Sequence, residues 1–65
     1  MKIKKNETYG EFCKRLRYAC KLTQKEFGEK VGIVRSSIWR YEKKGETPSF
    51  ENQKKIDLFA LSVKE

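Results

Sequence analysis

Thr23-Gln-Lys-Glu-Phe-Gly-Glu-Lys-Val-Gly-Ile-Val-Arg-Ser-Ser-Ile-Trp-Arg-Tyr-Glu42 is the stretch whose reading decides the fold. Thr23 and Glu26 form the Thr-x-x-Glu pattern of a capping box, in which each side chain satisfies an amide at a helix start. Phe27 and Val31, four apart, share one side of that helix. Gly32 follows Val31, where a helix end favours a residue with positive φ. After a turn at Ile33-Val34, a second helix is predicted from Arg35 to Glu42. Ile38 and Tyr41 give it a buried side, and Arg35, Ser36, Trp39 and Arg40 fill the opposite one. The pattern is helix, tight glycine turn, helix with a polar outward face.

Upstream, Thr8 and Glu11 repeat the capping box and open an earlier helix. Tyr9, Phe12, Cys13, Leu16, Ala19 and Cys20 follow helical spacing and predict one buried stripe. Gly10 is tolerable in its first turn. Leu22 is expected to point into the core. Residues 1–7, Met-Lys-Ile-Lys-Lys-Asn-Glu, read as a flexible basic arm with little to pack. Such an arm is either a solvated tail or a reach toward a neighbouring phosphate through Lys2, Lys4 and Lys5. Downstream, Lys43 to Pro48 read as a loop punctuated by Gly45 and Pro48. Ser49 is the expected N-cap of a fourth helix, with Glu51 and Asn52 in its first turn. Ile56, Phe59, Ala60 and Val63 make its core stripe, while Leu58 and Leu61 lie on a second side. The fold class is therefore all-α: a small bundle of four short helices, or five, in one domain over 1–65.

Length and composition narrow the functions. Sixty-five residues permit one small domain with a modest core. Sixteen Lys and Arg oppose nine Asp and Glu, a net charge of +7. That excess suits an anionic partner, nucleic acid being the usual one for a soluble basic domain, although a merely soluble surface or a membrane surface would also fit. No apolar run could span a bilayer, and no apolar segment follows the basic start as in a signal peptide, so a cytoplasmic protein is expected. Cys13 and Cys20, seven apart on one helix, lie about 10 Å apart along its axis, too far for a disulfide. They read as small buried side chains in a reducing compartment, or as a redox pair or half a metal site. With no histidine, zinc-finger spacing and Ser-His-Asp or Cys-His catalysis are excluded. No phosphate-cradling glycine loop is present. The expectation is a protein that is not an enzyme and takes no cofactor, metal or small-molecule ligand.

The segments Leu22 to Gly32 and Ser36 to Glu42, with Gly45 and Pro48-Ser49-Phe50 after them, resemble the phage-repressor/Cro (Xre-type) helix-turn-helix family. The resemblance covers roughly residues 10 to 61. It implies a recognition helix at about 35–42 that enters the major groove of DNA, with the helix before it lying across the backbone. It implies that Arg17 pairs with Glu42, tying the first helix to the third. It places Lys43 and Lys44 where family members touch phosphates. The chain departs from the pattern at several positions. Gly28 stands where alanine is usual, at a cost of about 1 kcal/mol in helix propensity, which close packing on the third helix would offset. Val34 replaces a capping Ser or Thr, so that helix starts less firmly or uses Ser36 for its first turn. Gln53 stands where an apolar residue is usual. The fifth helix that commonly supplies the dimer contact is absent or a stub.

Two classes of function fit: a sequence-specific regulator that binds double-stranded DNA, of repressor type from a phage or mobile element, or an interaction module, antitoxin-like, that keeps the shape without reading DNA. Donor chemistry on one face favours the first. Gln24 and the amides after it would hold a phosphate. Arg35 and Arg40 would donate to guanine O6 and N7. Ser36 and Ser37 would meet a base edge or a phosphate. Trp39 would lie along sugar and a thymine methyl, against a partner protein, or packed on Tyr18 or Lys43. Leu58 and Leu61 would form a small self-complementary patch for a weak homodimer strengthened on DNA.

Overall fold

A computed structural model describes residues 1–64. Its helices are α1 (Tyr9–Ala19), α2 (Gln24–Val31), α3 (Arg35–Lys44) and α4 (Phe50–Leu61). Among the described residues there is no strand and no fifth helix, so the architecture is the all-α bundle expected.

The helix starts follow from local chemistry. Thr8 Oγ1 accepts from the Glu11 amide while the Glu11 carboxylate accepts from the Thr8 amide, and Thr23 and Glu26 do the same for α2. Ser49 Oγ accepts from the Asn52 amide and starts α4. Val34 stands at the N-cap of α3 with no side-chain cap, as its apolar side chain requires. Gly32 and Gly45 end α2 and α3 at φ of 77° and 68°, the left-handed region that glycine enters without steric cost. The third left-handed residue is Lys21, at φ 57° after α1. The Leu22 amide there closes onto the Arg17 carbonyl at 2.9 Å, which turns the chain from α1 into α2.

The core is one cluster drawn from every helix: Phe12, Cys13 and Leu16 of α1, Phe27 and Val31 of α2, Ile38 and Tyr41 of α3, Ile56 and Ala60 of α4, with Ile33 from the turn. Phe59 meets Phe27 edge to face at 5.7 Å between centroids. The Asn52 side-chain amide donates to the Tyr41 hydroxyl, and the Tyr9 hydroxyl faces the Asp57 carboxylate, so polar ends of core aromatics join α4 to α3 and α1. Gln53, in place of an apolar residue, is half-buried and donates its amide to the Pro48 carbonyl.

Two glycines permit backbone contact. A Cβ on Gly10 would stand 1.8 Å from the Tyr41 carbonyl oxygen, so α1 touches the backbone of α3 there. A Cβ on Gly28 would lie 2.5 Å from the Ile33 carbonyl oxygen. The closest approach at Gly28 is therefore to the turn, with the Arg35 amide nitrogen at the start of α3 next at 3.6 Å.

Several expectations are corrected. Residues 1–7, expected as an arm, lie against the bundle through Met1, Ile3 and Glu7, while Lys2, Lys4, Lys5 and Asn6 are exposed. Met1 and Ile3 pack on the core, and the Met1 amino group donates to the Ala60 and Val63 carbonyls at 2.8 Å each. Arg15 clamps the segment with a bond to the Lys2 carbonyl and paired bonds to the Glu7 carboxylate at 2.8 Å. Those hydrogen bonds from Arg15 hold the Glu7 carboxyl below the usual carboxylate range, against the upward push of its partial burial. α3 runs through Lys44, so Lys43 and Lys44 form its last turn and not a loop. Ala19 is exposed, because the α1 stripe turns away from the bundle in its last turn. Cys20 is half-buried beyond the helix end. Val63 packs on the core from beyond the end of α4.

Candidate nucleic-acid interface

α3 divides cleanly by face. Ile38 and Tyr41 are buried, and Arg35, Ser36, Trp39, Arg40, Lys43 and Lys44 are exposed, with Ser37 half-buried at the edge. No acidic residue stands in its first turn. The outward arc is therefore cationic and rich in N–H and O–H donors.

An ion-pair network under this arc fixes the orientation of α3. Arg17 Nε and Nη2 donate to the two Glu42 carboxylate oxygens at 3.0 and 2.8 Å. Arg17 Nη1 reaches the Leu22 carbonyl, and the Gln24 side-chain amide donates to Glu42 at 3.3 Å. Three helices thus meet at one carboxylate. The side chains of Arg17 and Glu42 are only 12% and 3% exposed, so solvent screens the pair little. Hydrogen bonding to Glu42 pushes the Arg17 pKa above its ordinary value, keeping it charged.

Beside the network, Arg17, Thr23, Gln24, Lys25 and Arg35 line an open cleft of about 400 Å³. The amides of Gln24 and Lys25 in the first turn of α2 have no intrahelical acceptor. The cleft thus joins two arginines and a lysine to a helix start. Lys25 is the member of this group that reading the sequence missed. Its offset of one from Gln24 at a capped helix start was the available signal.

The other expected site residues fall as follows. Arg40 Nε donates to Glu46 and its Nη2 donates to Ser37 Oγ, at 3.3 and 3.1 Å. The Arg35 side chain makes no hydrogen bond or ion pair among the described residues and lines the cleft. The Trp39 ring is 42% exposed and has Lys44 Nζ 5.7 Å from its centroid, a different neighbour from the Tyr18 or Lys43 of one of its three expected settings. Tyr18 instead has Lys14 and Arg17 at its face. Leu58 and Leu61 are 68% and 71% exposed on α4, and Phe50 at the start of that helix is equally bare. Leu61 borders Met1, Ile3 and Asp57, so the packed amino-terminal segment lies beside it. Cys13 is buried, and burial pushes its thiol up to about 12, which makes it an inert core residue. Among the described residues no cluster could hold a metal ion, and no helix is long and apolar enough to cross a membrane.

Two helices joined by a glycine turn, the second presenting a cationic donor face and locked to the first helix of the bundle, define a helix-turn-helix DNA-binding domain. The sequence profile of the family described as Helix-turn-helix (HTH_3) matches residues 14–58, which hold all of α2 and α3 and most of α1 and α4. The chain belongs to this DNA-binding family, of Xre/Cro type. No curated protein and no solved structure matches it.

Proposed function

We propose that this protein is a sequence-specific transcriptional regulator, a repressor of phage or mobile-element type, that reads double-stranded DNA with α3 in the major groove. The observation that carries this reading is the one-sided face of α3, donor-rich outward and locked inward by Arg17, Glu42 and Gln24. An antitoxin-like interaction module would need no such face.

In this reading α2 crosses the DNA backbone, and a phosphate enters the cleft between Arg17, Gln24, Lys25 and Arg35. The unpaired first-turn amides and the positive end of the helix dipole favour an anion there. Arg35 and Arg40 donate to guanine O6 and N7, and Ser36 contacts a base edge or phosphate. Trp39 lies along sugar and a thymine methyl. Lys43 and Lys44, at the end of α3, neutralise phosphates. Phosphate contacts set position while the arginines select sequence. A single such unit reads few base pairs, so two copies bind half-sites about one helical turn apart, joined weakly through Leu58 and Leu61.

Sequencing duplexes bound from a random pool is the test. A recurrent motif containing guanine, weakened by Arg35→Ala and with log affinity falling steeply with log salt, supports the reading. Binding without any motif, or no binding at low salt, refutes it. Sedimentation of the native chain and of Leu58→Lys/Leu61→Lys on the selected duplex tests the pairing. Two-to-one complexes undiminished in the variant remove the leucines from it.

A further inference from the structure

We propose that Glu46, with Ser37, is a positioning residue that holds the Arg40 guanidinium for base recognition. The proposal rests on the reading of α3 as the groove-reading helix. Gly45, in the left-handed conformation, reverses the chain at the end of α3 and brings Glu46 back along it. The Glu46 amide then donates to the Arg40 carbonyl at 3.4 Å, and the Glu46 carboxylate accepts from Arg40 Nε at 3.3 Å. One residue is thus bonded to both the backbone and the side chain of Arg40. Ser37, one helical turn before Arg40, accepts from Nη2 at 3.1 Å.

The donor count shows what remains. A guanidinium carries five N–H donors in a rigid plane. Glu46 takes the one on Nε and Ser37 takes one on Nη2. Three remain, with hydrogens on both terminal nitrogens, which suffices for two bonds to guanine. Two anchored nitrogens fix the plane, so less side-chain freedom is lost on docking.

Stability does not account for this arrangement. Both side chains of the pair are nearly half exposed, and exposed ion pairs contribute little to folding. A carboxylate near DNA also repels phosphates, so Glu46 opposes non-specific binding while supporting the contact that selects a base. Arg35, which lacks any such support among the described residues, is the internal contrast.

The test separates these opposed effects in one residue. The native chain, Arg40→Ala, Glu46→Ala and Glu46→Gln are each used to select duplexes from a random pool and to bind bulk random-sequence duplex. Arg40→Ala identifies the base pair that depends on Arg40. At that pair, Glu46→Ala lowers a guanine preference of roughly tenfold toward parity, while binding of random duplex strengthens by about twofold as one negative charge is lost. Glu46→Gln gives the same gain on random duplex, yet keeps most of the preference because its amide oxygen still accepts from Nε. Full preference in Glu46→Ala overturns the proposal, as does equal loss in Glu46→Gln, which would make the field of the carboxylate and not its hydrogen bond responsible. If Arg40→Ala alters no base preference, the groove-reading role of Arg40 fails first, and the proposal with it.

Discussion

Replacing Gly10 by alanine sets two magnitudes against each other. In the first turn of α1 the substitution improves local helix propensity by up to about 1 kcal/mol and reduces the entropy of the unfolded chain. The structure opposes that gain with a hard contact. The new methyl would lie 1.8 Å from the Tyr41 carbonyl oxygen, 2.6 Å from its carbonyl carbon and 3.2 Å from the Glu42 Cα. All three atoms are backbone of α3, so no side chain can swing away, and α1 must separate from α3 by more than an ångström. Overpacking of this kind costs roughly 1–3 kcal/mol or more. The separation also stretches the Arg17–Glu42 pair that spans the same helices. A net loss of about 2 kcal/mol is expected, against a total stability of roughly 3–10 kcal/mol for a chain of this length. In thermal unfolding this is a fall in Tm on the order of 10 °C. Urea unfolding followed by circular dichroism measures it directly. A variant as stable as the native chain would refute the backbone contact between α1 and α3.

Three further outcomes follow from particular contacts. Arg17→Ala and Glu42→Ala are expected to be non-additive, with an interaction energy on the order of 1–3 kcal/mol in a double-mutant cycle; a value of zero would remove the pair from the account. Lys43→Ala and Lys44→Ala are each expected to weaken binding to all DNA sequences alike and to flatten the slope of log affinity against log salt by roughly 1, an unchanged slope marking them as solvated only. Because the Glu7 carboxyl is held low by Arg15, its contribution to stability is present above the ordinary value of 4.5 and is lost as pH falls through that value and below. Glu7→Gln should therefore flatten the decline of Tm with acid in that window, and identical acid profiles for the two proteins would exclude this contribution.

Much of the fold was legible because its signals are local. The two capping boxes, Ser49 and Gly32 each act through residues within a few positions, and helical spacing picked out Phe12, Leu16, Phe27, Ile38, Tyr41 and Ile56 as core. The end of α3 was misplaced for want of one rule: a left-handed glycine ends a helix at Gly45 as it does at Gly32, which carries the helix through Lys44. The packing of residues 1–7 was less visible. Met1 and Ile3 alternate with lysines, but the acceptors of the amino group and the reach of Arg15 belong to distant parts of the chain. Gly10 was read as tolerated when it is required, since only the approach of α3 makes a side chain there impossible. At the candidate site, the outward residues of α3 follow from helical spacing alone. The attachment of Arg40 to Glu46 does not, because it depends on the chain reversing after the helix.

The uncapped start of α3 has a consequence for how tightly this helix is fastened along its length. Its far end is closed by Gly45 and its middle is held by Ile38, Tyr41 and the carboxylate of Glu42, but no side chain closes its start at Val34. Fastening therefore rises from the first turn to the last. Amide hydrogen exchange should record that gradient, with the first-turn amides opening far more readily than those beside Tyr41. Positions 35 and 36 lie where the bundle has least invested, so their side chains can be exchanged with little penalty to the remainder. The helix is built to hold its bearing at one end and to accept revision at the other.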